Sequence, residues 1–137
     1  MLFRSWNAQA NAGFSEGEKT WLKVNENYPQ INVESQESDE DSILNYYKKL
    51  IQLRKKTPAL IYGDYTDLRP DCNKIWLYTR ILGDDKILIM NNFTSEPQSC
   101  LLVFPVKNLT LLLSNMAVEN EIKFALNPYE SRVYEFN

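Results

Sequence analysis

The chain has 137 residues, of which 44% are hydrophobic, 12% aromatic and 24% charged, and none is histidine. That length suits one domain with at most a short appendage and falls well below the roughly 250 residues of a complete (β/α)8 barrel. Without histidine the usual general base, the commonest zinc ligand and every Ser–His or Cys–His nucleophile pair are excluded, leaving carboxylates, lysines, tyrosines and two cysteines for chemistry.

Lysines and arginines number 15 against 18 aspartates and glutamates, a formal charge of −3, so the basic excess of a nucleic-acid binder is missing. The one basic cluster (Lys48, Lys49, Arg54, Lys55, Lys56) reads as a solvated helix side. No apolar run approaches the roughly 20 residues of a membrane span, and the N-terminus lacks the pattern of a signal peptide. The expectation is a cytoplasmic protein with neither nucleic-acid nor membrane partner. Cys72 and Cys100 have no zinc spacing and read as two buried free thiols in a reducing compartment, although they could pair.

Residues 1 to about 37 are polar, rich in asparagine and dotted with aromatics (Trp6, Phe14, Trp21, Tyr28), with no sustained period of 2 or 3.6. An irregular segment of that length suggests a functional loop or the edge of something larger. The Ser38–Ser42 stretch offers side-chain oxygens and negative charge suited to a helix start. Ile43, Leu44, Tyr47, Leu50, Ile51 and Arg54 then recur at helical spacing, and Thr57-Pro58 stops the run. The spacing predicts a helix over residues 41–56.

Beyond Leu60 the period becomes 2. Strands are expected at Lys74–Ile81, Lys86–Phe93, Ser99–Phe104, Leu109–Ser114, Glu121–Leu126 and Ser131–Phe136, with a weaker first strand over Tyr62–Leu68. Turn signals separate them at Pro70-Asp71, Gly83-Asp84-Asp85, Ser95-Glu96-Pro97 and Asn127-Pro128. In Lys86–Phe93, Ile87, Ile89 and Asn91 should share one face and Leu88 and Met90 the other, as in a central strand covered on both sides. The fold class is therefore mainly β: an antiparallel β-sandwich of Greek-key type, preceded by an irregular segment and one α-helix.

Few constellations carry chemistry. The acidic group Glu37, Asp39, Glu40 and Asp41 lacks the glycine of a calcium loop and is explained by helix capping. Carboxylate pairs of the kind that hydrolyse glycosides, such as Glu34 with Asp64, are not singled out by spacing. Neither a metal nor another cofactor is called for. Trp6, Phe14, Trp21 and Tyr28, set among asparagines, have the chemistry to stack on sugar rings, but equally to staple an irregular segment to a core. Asn92-Phe93-Thr94 and Asn108-Leu109-Thr110 match the glycosylation sequon, which is frequent by chance.

A longer pattern is more specific. Trp6 is followed by Asn11-Ala12-Gly13-Phe14-Ser15, by Thr20-Trp21-Leu22-Lys23-Val24-Asn25-Glu26-Asn27-Tyr28, and by Ile31-Asn32-Val33-Glu34-Ser35-Gln36. Next come Tyr46-Tyr47-Lys48-Lys49-Leu50-Ile51-Gln52-Leu53-Arg54-Lys55 and Pro58-Ala59-Leu60-Ile61-Tyr62-Gly63-Asp64-Tyr65. Over essentially its whole length the chain resembles the C-terminal part of the α-glucosidases of glycoside hydrolase family 13, in the oligo-1,6-glucosidase, maltase and trehalose-6-phosphate hydrolase group.

The resemblance implies that residues 1–59 correspond to the last barrel loop and final barrel helix, and residues 60–137 to the C-terminal β-sandwich domain. The family's catalytic aspartates, glutamate and histidines belong to earlier barrel strands, so no catalytic residue is expected here. The family's Arg-x-Pro-Met-Gln-Trp-Asp stretch is kept only at Trp6; Ser5 replaces its glutamine, Asn7 its aspartate, and its arginine position falls on Met1. Trp6, Asn11 and Phe14 are left as positions bordering a substrate cleft. Ile43, Tyr47, Leu50 and Ile51 would face the barrel or a partner. The expected role is non-catalytic: packing against a catalytic barrel of α-glucosidase type, or self-association where the barrel is missing. The alternative is a carbohydrate-binding module using Trp6, Trp21 and nearby aromatics, with an oligosaccharide as partner.

Overall fold

The computed structural model describes residues 5–69, 71–99, 108–118 and 125–137. The chain divides into two units, one running through residue 49 and the other starting at residue 50.

In the first unit the segment expected to be irregular is held by bonds that leave no trace in hydrophobic periodicity. Asn11, Ala12 and Gly13 all have left-handed backbones, with φ of 53°, 56° and 66°. Ala12 costs about 1–2 kcal/mol there and Asn11 less, so the turn needs outside support. The buried Ala12 supplies it, its carbonyl accepting from Trp6 N–H at 2.8 Å and Asn7 N–H at 3.3 Å. Gly13 suits the turn as well: its φ of 66° favours glycine, and a Cβ would lie 2.5 Å from the Asn7 amide oxygen and displace that side chain.

The short helix α1 (Val33–Glu37) completes the clamp. Asn32 caps it by accepting from Ser35 N–H at 2.9 Å. The first N–H groups of a helix have no partner inside it; here those of Val33 and Glu34 donate to the carbonyls of Ser5 and Trp6, at 2.9 and 3.0 Å.

Helix α2 (Ile43–Lys56) starts two residues later than its expected residue 41. The cap is Ser42, whose Oγ accepts from Asn45 N–H at 3.2 Å, aided by Gln36 Oε1, which accepts from Leu44 N–H at 3.1 Å. The neighbouring acids are engaged elsewhere: Asp39 accepts from Asp41 N–H, and Glu37 pairs with Lys48 at 3.0 Å. Arg54, Lys55 and Lys56 fill the last turn, where the helix dipole favours positive charge. Pro58 then opens a four-residue helix, α3 (Ala59–Tyr62). With five and four residues, α1 and α3 are too short to show a 3.6-residue period, which is why only one helix is legible in the sequence.

The second unit is mainly β and antiparallel. Its strands are β1 (Asp64–Asp67), β2 (Ile75–Leu82), β3 (Asp85–Asn92), β4 (Gln98–Ser99), β5 (Leu109–Ser114), β6 (Ala125–Leu126) and β7 (Ser131–Phe136). Among the described residues a five-stranded sheet runs in the order β1-β2-β3-β7-β5, and β4 pairs with β6 in a separate two-stranded ladder. Of the expected strands Ser99–Phe104 and Glu121–Leu126, residues 100–104 and 121–124 lie outside the described residues, as do Cys100 and Pro70. The β2–β3 hairpin turns on Gly83 and Asp84, with Gly83 at φ 59° in the first turn position, where only glycine sits without strain.

Strand β3 is buried on both sides, as its apolar run predicts. Leu88 and Met90 join Ile75, Leu77, Leu126, Tyr134 and Phe136 in one cluster. Ile87 and Ile89 join Val133 and Ala59 in another, against which Leu53 and Leu60 pack. The end of α2 and the start of α3 thus cover part of one face of the sheet, through Leu53, Ala59 and Leu60, while β6 contributes Leu126 to the other. An irregularity in β5 between Leu111 and Leu113 lets four leucines serve both faces. Leu109 and Leu111 pack on the first cluster, Leu112 and Leu113 on the second.

Gly63 joins α3 to β1 at a close approach. A Cβ at this position would meet the Ala59 carbonyl oxygen at 2.5 Å and the backbone of Ile81 at 3.0 Å. Arg80 spans the same junction, donating to the carbonyls of Ala59 (3.4 Å) and Ile61 (3.2 Å).

Candidate functional site

The three cleft-bordering positions fall into two depressions of the first unit. Asn11 and Phe14 line a cavity of about 340 Å³ together with Lys19, Thr20, Trp21 and Val24. Its walls are largely apolar, and Trp21 is 98% exposed. The Asn11 amide donates to the carbonyls of Ser15 (3.1 Å) and Gly17 (2.6 Å), so it shapes the wall from behind.

Trp6 lies instead in a wider groove of about 620 Å³ with Ile31, Ile43, Tyr47 and Lys48. Part of the predicted helix face therefore shares a surface with Trp6. Ile43 and Tyr47 are 83% and 62% exposed; Ile51 is exposed as well and Leu50 half-buried. An amphipathic helix normally turns such a stripe toward a core, and burial of that stripe would contribute about 25 cal/mol per Å² of apolar area.

A third surface was not legible as a unit. On β2, Trp76 and Tyr78 stand two residues apart and so on one face. Their centroids are 4.6 Å apart, and Trp76 stacks on Phe93 at 6.4 Å with an interplanar angle of 28°. Tyr65 of β1 closes the strip, 5.3 Å from Tyr78. The Trp76 indole N–H donates to the Tyr65 hydroxyl at 3.1 Å. Burial pushes the Tyr78 hydroxyl above its ordinary pKa, with the Arg80 charge opposing. The i, i+2 spacing of Trp76 and Tyr78 was visible in the sequence; their neighbours Tyr65 on β1 and Phe93 just after β3 depend on strand register.

Glu34 and Asp64, the example of a carboxylate pair, belong to different units. Among the described residues no group of three or more acids and cysteines has the geometry to hold a metal ion, and no helix is long and apolar enough to cross a membrane. Cys72 carries a free thiol, half-buried in the turn before β2 rather than in the core. Hydrogen bonds from the backbone at Lys74 and Ile75 hold its pKa below the ordinary thiol value, helped by the charges of Arg69 and Lys74.

Comparison with known proteins adds what geometry alone leaves open. Residues 3–63 match the family model described as the catalytic domain of alpha amylase. The chain is 42% identical over 136 residues to a probable oligo-1,6-glucosidase 2 of Bacillus subtilis, covering 94% of this chain and 23% of that protein. It is 39% identical to the oligo-1,6-glucosidase of Parageobacillus thermoglucosidasius, covering 95% and 24%. Among solved structures, it superposes on isomaltulose synthase from Klebsiella sp. LX3 with a TM-score of 0.87 at 38% identity, covering 97% of this chain and 24% of that one. Trehalulose synthase from Pseudomonas mesoacidophila MX-45 gives 0.91 at 34% identity, covering 97% and 24%.

These similarities put the chain in the α-amylase class of glycoside hydrolases. Within that class it belongs to glycoside hydrolase family 13, beside the oligo-1,6-glucosidases, as a segment spanning about a quarter of the relatives it matches.

Proposed function

We propose that this chain is the non-catalytic C-terminal portion of an α-glucosidase-type architecture that acts on α-glucosides in cytoplasmic carbohydrate metabolism. Residues 1–59 correspond to the last loop and final helix of a catalytic barrel, and residues 60–137 to the β-domain that packs against that barrel and stabilises it. The observation that carries this reading is the catalytic-domain match, which ends at residue 63, one residue before β1 begins at Asp64. The exposed stripe of Ile43, Tyr47 and Ile51, with Leu50 beside it, supports it: an apolar helix face of this kind is covered in a complete barrel.

Incubating the pure chain with a chromogenic α-glucoside tests the first half of the proposal. No turnover is expected; turnover lost on changing a single carboxylate would overturn it. The exposed Trp21 beside the Asn11–Phe14 cavity favours a second reading, a carbohydrate-binding module using Trp6, Trp21 and their neighbours. Titration with maltose, isomaltose and trehalose, followed by tryptophan fluorescence, separates the two: a saturable change abolished by Trp21→Ala supports the module, and a flat response leaves the packing role.

A further inference from the structure

We propose that the aromatic strip of Tyr65, Trp76, Tyr78 and Phe93 is the surface on which the sheet receives a catalytic-domain polypeptide of its own family, whether joined to this chain or supplied separately. The inference rests on the packing role proposed above and adds where on the sheet the contact lies.

The side of the sheet is the first argument. The segment matched to the catalytic domain ends at residue 63, and its last side chains, Leu53, Ala59 and Leu60, pack with Ile87, Ile89 and Val133. In the β2–β3 register Trp76 lies opposite Asn91, Tyr78 opposite Ile89 and Arg80 opposite Ile87, so the strip stands on that same face. The catalytic-domain part of the chain therefore covers part of this face, and the strip, with Trp76 42% and Phe93 61% exposed, lies on the same face. Length is the second argument. The relatives carry roughly three quarters of their polypeptide outside the region matched here, since this chain covers 23% and 24% of them.

The hydrogen bonding of the strip favours protein over sugar. A saccharide needs ring faces with unspent hydrogen-bonding groups at their rim. Here the Trp76 N–H is taken by Tyr65, whose hydroxyl donates in turn to Asp67 at 3.4 Å. The Asn91 amide donates to the Trp76 carbonyl at 3.5 Å and accepts from Ser131 at 2.7 Å. Apart from the half-buried Tyr78 hydroxyl, what remains is a set of pinned aromatic planes, suited to burial under an apolar protein surface.

The test co-expresses the 137-residue chain with the Parageobacillus oligo-1,6-glucosidase shortened by the region that matches it, and measures the amount of that polypeptide recovered with the tagged chain. Capture is expected, with at least a ten-fold drop for the pair Trp76→Ser and Phe93→Ser and no change for Met116→Ser, an exposed apolar residue away from the strip; circular dichroism and urea midpoints verify that each variant is folded. Capture should also shift the Trp76 emission to the blue when Trp6 and Trp21 are replaced by phenylalanine. Capture that ignores the strip variants overturns this inference and leaves the packing role intact. Absence of capture by the unaltered chain overturns both. Self-association lost with Trp76→Ser, or quenching of Trp76 by isomaltotriose, assigns the strip to a second copy or to a sugar and overturns the inference.

Discussion

Arg132 donates through Nε to Glu130 Oε1 at 2.6 Å, in a site where the two side chains are 5% and 0% exposed. The second carboxylate oxygen accepts from Asn127 N–H at 2.7 Å. The remaining guanidinium nitrogens donate to the Tyr134 hydroxyl at 3.3 Å and the Ala125 carbonyl at 3.2 Å. Burial works against the arginine's charge, but the bonds to Glu130 and Tyr134 outweigh it and hold its pKa above the ordinary value. The pair ties β6, the turn after it and β7 into one polar knot inside an apolar cluster.

Breaking this knot from one side should cost far more than removing it. Arg132→Met leaves a carboxylate buried without its counter-charge, a loss of about 3–5 kcal/mol. The double change Glu130→Gln with Arg132→Met removes both charges, keeps an acceptor for Asn127 N–H, and should recover most of that loss. Urea unfolding of the two variants beside the parent chain measures the difference.

Two glycines should respond differently to alanine. At Gly63 the added methyl meets backbone on both sides, at Ala59 and Ile81, and the overpacking should cost about 1–3 kcal/mol. At Gly83 the space is open and the backbone is left-handed, so the cost is the conformational strain alone, about 1–2 kcal/mol. Replacing Gly83 by asparagine, which tolerates that backbone, should restore part of the loss, whereas Gly63→Asn should be worse than Gly63→Ala. Thermal melts of the four variants distinguish steric from conformational cost.

Ser42→Ala removes the acceptor for Asn45 N–H at the start of α2 and should lower stability by about 1 kcal/mol. Substituting Asp39 or Asp41 should change it by less than half as much, because neither carboxylate bonds an N–H of the helix. Guanidinium titrations on single variants provide the check.

Alkylation of Cys72 by iodoacetamide should reach its half-maximal rate at a pH below that of a free thiol, because the folded chain favours the thiolate. The sign for stability follows. A thiol held below its unfolded pKa of 9.0 contributes stability that is full above pH 9 and is lost as pH falls through the folded value. Cys72→Ser should flatten that part of the stability profile and leave the rest unchanged.

The sheet was legible where side-chain alternation alone decides the outcome. Leu88 and Met90 against Ile87 and Ile89 is a period-2 statement, and the two clusters follow it. The N-terminal segment was not legible, because its order rests on carbonyls that accept from N–H groups 5 to 28 positions away and on a left-handed turn at Asn11–Gly13, neither of which has a periodic signature. Among the site candidates, local spacing identified the exposed stripe of α2. That Trp6 joins Ile43 and Tyr47 in one groove while Asn11 and Phe14 line another depends on tertiary folding.

The strand order carries a consequence for how such a chain comes off the ribosome. Among the described residues, Leu109–Ser114 has one neighbour in the sheet, Ser131–Phe136, which is synthesised after it. Until that later strand is available, the amides of Leu109–Ser114 lack this ladder partner and its four leucines lack Val133, Tyr134 and Phe136 to pack on, and such a segment pairs readily with another chain. A product terminated before Ser131 should therefore go into inclusion bodies, and a chaperone acting on this protein should be needed most in the interval between those two strands.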